Sequence, residues 1–333
     1  SARRQRQMCI RDRLVEVRTG HAVDPTTRHE GSSGGVLSGL LIHLLESKQV
    51  DFVAHVKAAS DDPLGNELSI SRTREDVLAG AGSRYAPSAP LAKLAVLLAL
   101  PGRFAFVGKP CDVAALRRYE KLNPGVSDKV PFMLSFMCAG IPSRKGTLAI
   151  LDKFGVPPEQ VKSFAYRGDG WPGKTTAITQ DNQRFETDYS TSWGTVLNRH
   201  LQFRCKICPD GTGEFADVVG ADAWYGKDGY PDFAEREGRS LVLSRTSKGE
   251  ALVQSAKAAN AIATEPLAVE EIAKMQPYQL NRKRLVLSRI AALWLTRRPA
   301  PRYAHFPLFR LATQLSLREN ISSFKGTLRR LIA

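Results

Sequence analysis

Long hydrophobic runs are missing from this chain. The best, residues 91–100, carries Lys93 and stops at Pro101-Gly102, well short of the ~20 apolar residues that a membrane-spanning helix needs. Cysteine is scarce too. Five in 333 residues exclude a disulfide-scaffolded secreted protein, and reduced, scattered thiols point to the cytoplasm. Internal repeats and low-complexity tracts are absent. The body of the chain also lacks net charge. Of the formal +15, residues 1–13 hold +4 (five Arg, one Asp) and residues 282–333 hold +11 (twelve Lys/Arg, one Glu). Residues 14–281 balance 31 basic against 31 acidic side chains. A nucleic-acid-binding domain wants a basic face on its folded body, so no nucleic-acid partner is expected.

What is present supports a globular protein. At 43% hydrophobic over 333 residues, the chain can bury the core of one large domain or two ordinary ones. Residues 1–13, SARRQRQMCIRDR, show no apolar periodicity and read as translated adapter sequence. They are set aside as non-native, with Cys9 among them, and the native start is expected upstream.

The other four cysteines carry the most information. Cys205 and Cys208 form a C-x-x-C pair, Cys111 stands in Gly-Lys-Pro-Cys, and Cys138 stands in Phe-Met-Cys-Ala-Gly. Four thiolates are the complement of one iron–sulfur cluster or one structural zinc. A C-x-x-C pair alone also serves dithiol chemistry, and a lone buried cysteine is often just a small hydrophobe.

Periodicity organises the rest. Residues 14–23 alternate as a strand, residues 36–46 repeat apolar side chains at helical spacing, and residues 50–56 read as a strand again. Thr73, with Asp76 three residues on, predicts a capped helix start. Residues 92–100, 113–119, 147–154 and 249–259 read as helices; 104–107, 132–137, 161–166 and 241–246 read as strands. Cys111 and Cys138 therefore fall just past strand ends, the edge where ligands collect in open α/β sheets. The expected fold is α/β or α+β: a mixed sheet with flanking helices, the cysteines at its C-terminal edge, and a basic helical tail. The expected parts are 14–95, 96–265 and 266–333.

Two glycine-rich segments invite a cofactor. Gly31-Ser32-Ser33-Gly34-Gly35 opens a helix, where free N–H groups favour phosphate, although the run matches neither the Walker loop nor the dinucleotide fingerprint; an ordinary capped loop is the alternative. Residues 167–174, Arg-Gly-Asp-Gly-Trp-Pro-Gly-Lys, are too glycine-rich for regular structure. Such a loop can cover a planar cofactor with Arg167 or Lys174 at its edge, or be a solvent loop with a packed tryptophan. Residues 220–224, Gly-Ala-Asp-Ala-Trp, read as a small-residue turn, and His43 and His55 as core or surface residues outside any metal constellation.

Taken in order, GSSGG (31–35), GSRY (82–85), VGKPCDVAALRR (107–118), FMCAGIPS (136–143), YRGDGWPGK (166–174), CKICPDGTGEFADVVGADAW (205–224) and GRSLVLSRTSKGE (238–250) resemble the coenzyme F420 hydrogenase/dehydrogenase beta-subunit family. That family includes the flavin subunit of F420-reducing hydrogenase, 7-hydroxymethyl chlorophyll a reductase and ferredoxin-type divinyl chlorophyllide reductase. The resemblance spans residues 14–259 and implies an FAD-dependent oxidoreductase. Its 4Fe–4S cluster would fall on Cys111, Cys138, Cys205 and Cys208. Its flavin would contact Gly31, Ser32, Ser33, Gly34, Gly35, Arg167, Gly170, Trp171, Gly173 and Lys174, with Lys109 offsetting charge beside Cys111. Members often carry a further ferredoxin-like segment, which this sequence lacks. Implied partners are ferredoxin or another redox protein and a conjugated substrate such as F420 or a chlorophyll derivative. An electron-relay subunit, and a zinc-stabilised protein of polysaccharide pathways without redox activity, are the alternative readings. Residues 284–298 pattern as a cationic amphipathic helix with Leu285, Ile290, Leu293 and Trp294 on its apolar face. It would dock on an acidic partner, lie peripherally on anionic lipid, or pack on the body.

Overall fold

The computed structural model describes residues 14–227, 230–303 and 306–332. The set-aside segment 1–13 and Cys9 lie outside the described residues. In chain order the strands are β1 (Glu16–Ala22), β2 (Phe52–Ala58), β3 (Asn66–Ser71), β4 (Phe104–Gly108), β5 (Phe132–Phe136), β6 (Val161–Ala165), β7 (Thr175–Thr179), β8 (Arg184–Thr187), β9 (Val218–Asp222), β10 (Gly226–Lys227), β11 (Tyr230–Pro231), β12 (Ser240–Ser244) and β13 (Ile262–Pro266). The helices are α1 (Pro25–Glu30), α2 (Val36–Glu46), α3 (Arg74–Leu78), α4 (Leu94–Ala99), α5 (Pro110–Leu122), α6 (Val126–Lys129), α7 (Arg144–Phe154), α8 (Phe203–Lys206), α9 (Ser247–Ala258), α10 (Glu271–Met275), α11 (Pro277–Arg284), α12 (Val286–Leu295), α13 (Leu308–Ala312) and α14 (Leu317–Ile332).

Eight strands form one mixed sheet in the order β13-β1-β12-β9-β5-β4-β2-β3. Its centre, β9-β5-β4-β2, is parallel, and antiparallel pairs complete both sides. β1 sits between β12 and β13, so the first strand joins residues more than two hundred positions away. The period of two along β4 shows how the sheet divides its core. Phe104 and Phe106 point to a face covered by α4, α5, α6 and α10, through Leu97, Val113, Leu116, Val126 and Ile272. Ala105 and Val107 point to the face covered by α2 and α9, through Leu40, Leu44, Leu252 and Val253. The mixed α/β sheet with flanking helices expected from sequence is therefore the observed architecture.

Two satellites attach to this body. The antiparallel sheet β6-β7-β8 packs with α7 around Ile150, Leu151, Phe164 and Leu197. The helices α12, α13 and α14 pack around Val286, Ile290, Leu293 and Leu331, and Ile207 of the C-x-x-C pair joins that cluster. The predicted amphipathic segment is thus split at Leu285 between α11 and α12. Ile290 and Leu293 are buried within this chain, while Trp294 is exposed. No helix among the described residues is long and apolar enough to cross a membrane.

The GSSGG turn owes its shape to backbone contact. Gly35 caps α2 at φ 71°, and a Cβ there would lie 2.2 Å from the Thr27 carbonyl oxygen. Gly35→Ala is expected to lower stability by at least ~1–3 kcal/mol, measured as a reduced urea midpoint at unchanged slope.

Candidate cofactor cleft and cysteine site

The C-terminal ends of β4, β5 and β9 and the N-terminus of α2 open into one cleft. Its cavity volume is about 230 Å³, just below the ~300–1,000 Å³ of common ligand pockets. The first wall is the turn before α2. Gly31, Ser32, Ser33 and Gly35 line it, followed by Val36, Leu37 and Ser38. Gly34 instead packs against Gly238. No side chain caps α2, so the donors of its first turn are left for a ligand.

His55 on β2 lies deeper in the same wall. It is buried and its Nε2 is 2.6 Å from Ser71 Oγ. Burial, reinforced by Lys57, pushes its pKa down to about 4. The folded protein therefore holds His55 neutral, and stability from this residue is complete above the unfolded pKa of 6.5 and lost as pH falls toward 4. The depression corresponds to ~3 kcal/mol at ~1.4 kcal/mol per pH unit. His55→Gln is expected to flatten that limb of a stability–pH profile measured by urea denaturation.

The second wall is aromatic. Tyr85, Tyr189, Trp193 and Tyr278 line the cleft together with Arg167 and Asp222. Arg167 is 3% exposed, and its Nη1 and Nη2 donate to Asp222 Oδ2 and Oδ1 at 2.9 and 2.6 Å. The guanidinium stacks over the rings of Tyr189 and Trp224, 4.8 and 5.0 Å from their centroids. Despite burial, Asp222 holds its pKa above the usual arginine value. Burial drives the Tyr189 and Tyr278 hydroxyls upward as well, with Tyr85 and Asp222 adding to both.

The floor is the segment Met137–Cys138–Ala139–Gly140–Ile141, which follows β5. Lys109 also lines the cleft, with its Nζ 2.7 Å from Asp112 Oδ2 and 2.7 Å from Ser88 Oγ. Cys111, the second residue of α5, is exposed; Cys138, Cys205 and Cys208 are half-buried. All four thiols are free and close enough to act on one another electrostatically. Cys205 and Cys208 raise the pKa of Cys111, and Cys205 and Cys111 raise that of Cys138. Burial is the larger cause at Cys138, taking it to about 12. Arg282 works in the opposite direction on Cys138 and Cys208. The backbone N–H groups of Gly140 and Ile141 donate to the sulfurs of Cys138 and Cys205, both at 3.4 Å. Among the described residues, no group of three or more His, Cys, Asp or Glu side chains is gathered tightly enough to hold a single metal ion. N–H donors aimed at the Cys138 and Cys205 sulfurs are contacts that iron–sulfur thiolates accept, and thiolates are the ligands such a cluster takes.

The C-terminal helices close this region from outside. Arg282 donates to the carbonyl oxygens of Cys138 and Cys205, Arg289 to that of Lys206, and Tyr303 Oη to that of Ile207 at 2.9 Å. Sequence reasoning left packing of the basic tail on the body as one of three readings and had no spacing that tied these residues to the cysteines. It missed Tyr189, Trp193 and Tyr278 because no spacing ties them to the cleft.

The structure brings together Gly31, Ser32, Ser33, Gly35, Lys109, Arg167 and Cys138 at one cleft. Three other residues of the 167–174 loop support it from behind. Trp171 is buried, stacks on Trp224 at 4.9 Å and donates from Nε1 to Asp222. Gly170 and Gly173 shape the turn around Glu235, which accepts from the N–H groups of Trp171 and Gly173. Lys174 lies outside the cleft, because β7 begins at Thr175 and carries Lys174 across to Glu186, 3.2 Å away on β8. The predicted turn at 220–224 is corrected: its first residues end the central strand β9.

Residues 17–95 match the family model "Coenzyme F420 hydrogenase/dehydrogenase, beta subunit N-term", and residues 102–270 match the companion model for the C terminus of the same beta subunit. The coenzyme F420 hydrogenase subunit beta of Methanococcus voltae is 27% identical over 252 residues, covering 74% of this chain and 82% of that protein. The chloroplastic 7-hydroxymethyl chlorophyll a reductase of Oryza sativa subsp. japonica is 24% identical, covering 72% of this chain and 50% of that protein. A chain in the xenon-derivatised F420-reducing [NiFe] hydrogenase complex from Methanosarcina barkeri shares the fold, with a TM-score of 0.65 at 20% identity over 87% of this chain and 96% of that one. The sheet, its cleft and these relatives define an α/β oxidoreductase. The chain belongs to the coenzyme F420 hydrogenase/dehydrogenase beta-subunit family.

Proposed function

We propose that this protein is an FAD-dependent iron–sulfur oxidoreductase. It would exchange single electrons with a ferredoxin-type partner through a 4Fe–4S cluster on Cys111, Cys138, Cys205 and Cys208. It would reduce or oxidise by two electrons a conjugated molecule such as coenzyme F420 or a chlorophyll derivative. One observation carries the reading: the cleft that starts at the uncapped N-terminus of α2 ends on the Cys138 segment. A flavin handles one electron or two, so beside a cluster it links single-electron exchange to hydride chemistry.

The residues divide the work. The N–H groups of α2 and the hydroxyls of Ser32 and Ser33 bind the diphosphate of FAD. Tyr85, Tyr189, Trp193 and Tyr278 supply flat apolar surface for a ring system and exclude water. Arg167 has its charge matched by Asp222, so it orders the aromatic wall rather than binding an anion. Arg282 places positive charge beside Cys138 and Cys208 and so favours their ionised form, whereas Asp112 offsets the charge of Lys109 at Cys111.

Anaerobic purification followed by a visible spectrum and cofactor assay tests the reading. About four iron, about four sulfide and about one FAD per chain are expected. Colourless protein after cluster reconstitution, or one zinc with no iron, overturns it. A relay role inside a larger complex is the second reading, favoured because relatives are named as hydrogenase subunits. Turnover of F420 by the isolated, loaded chain excludes it; turnover only on addition of a partner subunit selects it.

A further inference from the structure

The C-terminal module gathers positive charge around the Cys205–Cys208 pair. Lys283 is paired with Glu214, and Arg282 is bound to two carbonyls of the site. Four other cations stand without such a match among the described residues. Arg204 and Arg330 are exposed, and Lys206 and Arg289 are half-buried. Arg289 donates to the Lys206 carbonyl and to Ser323 Oγ, neither of them charged. The charges that act on Lys206 are Arg330 and Arg289; those that act on Arg289 are Arg282 and Arg330. All of them are cations, and with burial they push Arg289 down to about 10. Arg204 completes the group, acting on Tyr303, whose hydroxyl is bonded to Ile207. Like charges crowded beside one another repel, and the arrangement gains when an anionic surface settles on it.

We propose that Arg204, Lys206, Arg289 and Arg330 form the docking surface for an acidic one-electron carrier protein. The proposal rests on the iron–sulfur reading and deepens it by placing the partner. The four cations frame the C-x-x-C pair itself, and Cys111, electrostatically coupled to that pair, is exposed. A carrier seated there comes close to the thiols, which electron exchange requires and which lipid contact does not. Arg289 and Arg330, with Tyr303, belong to the C-terminal module, which lies beyond the matched residues 102–270, while Arg204 and Lys206 belong to α8.

The test uses the loaded protein, an acidic plant-type ferredoxin as probe, and the double variant R204E/R330E. Stopped-flow exchange with reduced ferredoxin should fall steeply with salt in the parent. In the variant the low-salt rate should drop at least about tenfold and the salt dependence should vanish. Iron, FAD content and reduction by dithionite should stay at parental levels. Parental rates and salt dependence in a fully loaded variant overturn the proposal. So does a variant that loses binding to phosphatidylglycerol vesicles while its ferredoxin kinetics stay parental. If R204E/R330E does not fold, R204Q/R330Q is expected to show the same change with smaller amplitude. Parent protein without iron counts against the cofactor reading only; calorimetric affinity for oxidised ferredoxin, parent against variant, then decides the surface by the same tenfold criterion.

Discussion

Replacing Cys138 by serine is expected to strip the purified protein of iron, by at least roughly tenfold per chain. The size of the effect follows from where Cys138 stands. It leaves β5 on the floor of the cleft, its N–H is tied to the Gly211 carbonyl at 2.8 Å, and its carbonyl is held by Arg282 at 2.8 Å. The backbone is therefore held on both sides, which fixes where the sulfur stands. A serine hydroxyl matches the volume but binds iron poorly, since soft thiolates are what iron–sulfur chemistry selects. Cys9→Ser, carried out in parallel, should retain full iron. Circular dichroism separates loss of the ligand from loss of the fold, because the sheet core does not include Cys138. Parental iron content in Cys138→Ser would remove this residue from the proposed ligand set.

Changing Asp222 to asparagine should produce the largest loss of stability, ~3–5 kcal/mol, the usual result of breaking one partner of a buried pair. Asp222 ends β9 and accepts both guanidinium nitrogens of Arg167 and the indole N–H of Trp171. Asparagine leaves Arg167 charged, 3% exposed and without a counter-ion. Chemical denaturation reads the loss as a lower midpoint at constant slope. The double change Arg167→Met with Asp222→Leu should recover part of it, since apolar replacement of a buried pair removes the desolvation cost of both ions. If the single variant is as stable as the parent, the pair does not hold the 167–174 loop in place.

Much of the body was legible. The helical spacing over 36–46 gave α2 with the same limits. Thr73 and Asp76 form the expected reciprocal cap at the start of α3. Local rules suffice there because each signal acts within one turn. The misreading of residues 220–224 has a tertiary cause. A Cβ on Gly220 would lie 2.7 Å from the Leu37 side chain of α2, so β9 needs its small residue for helix-to-sheet contact, and small residues read as a turn in isolation. The cleft was half legible. Its α2 wall and the Cys138 floor sit in local motifs, whereas Tyr189, Tyr278 and Arg282 arrive from distant segments with no spacing to connect them. The tail hid its role for a related reason: Ile290 and Leu293 form an apolar face, and only packing reveals that its occupant is this chain's own α13–α14 and Ile207.

The placement of β1 between β12 and β13 also orders events during synthesis. The strand made first has both of its sheet neighbours made last, since β13 ends at Pro266. On the ribosome, β1 waits with both edges unpaired while everything between is produced. Unsatisfied edges of that kind are sites of mispairing and chaperone engagement, and contacts this distant along the chain slow the approach to the native state.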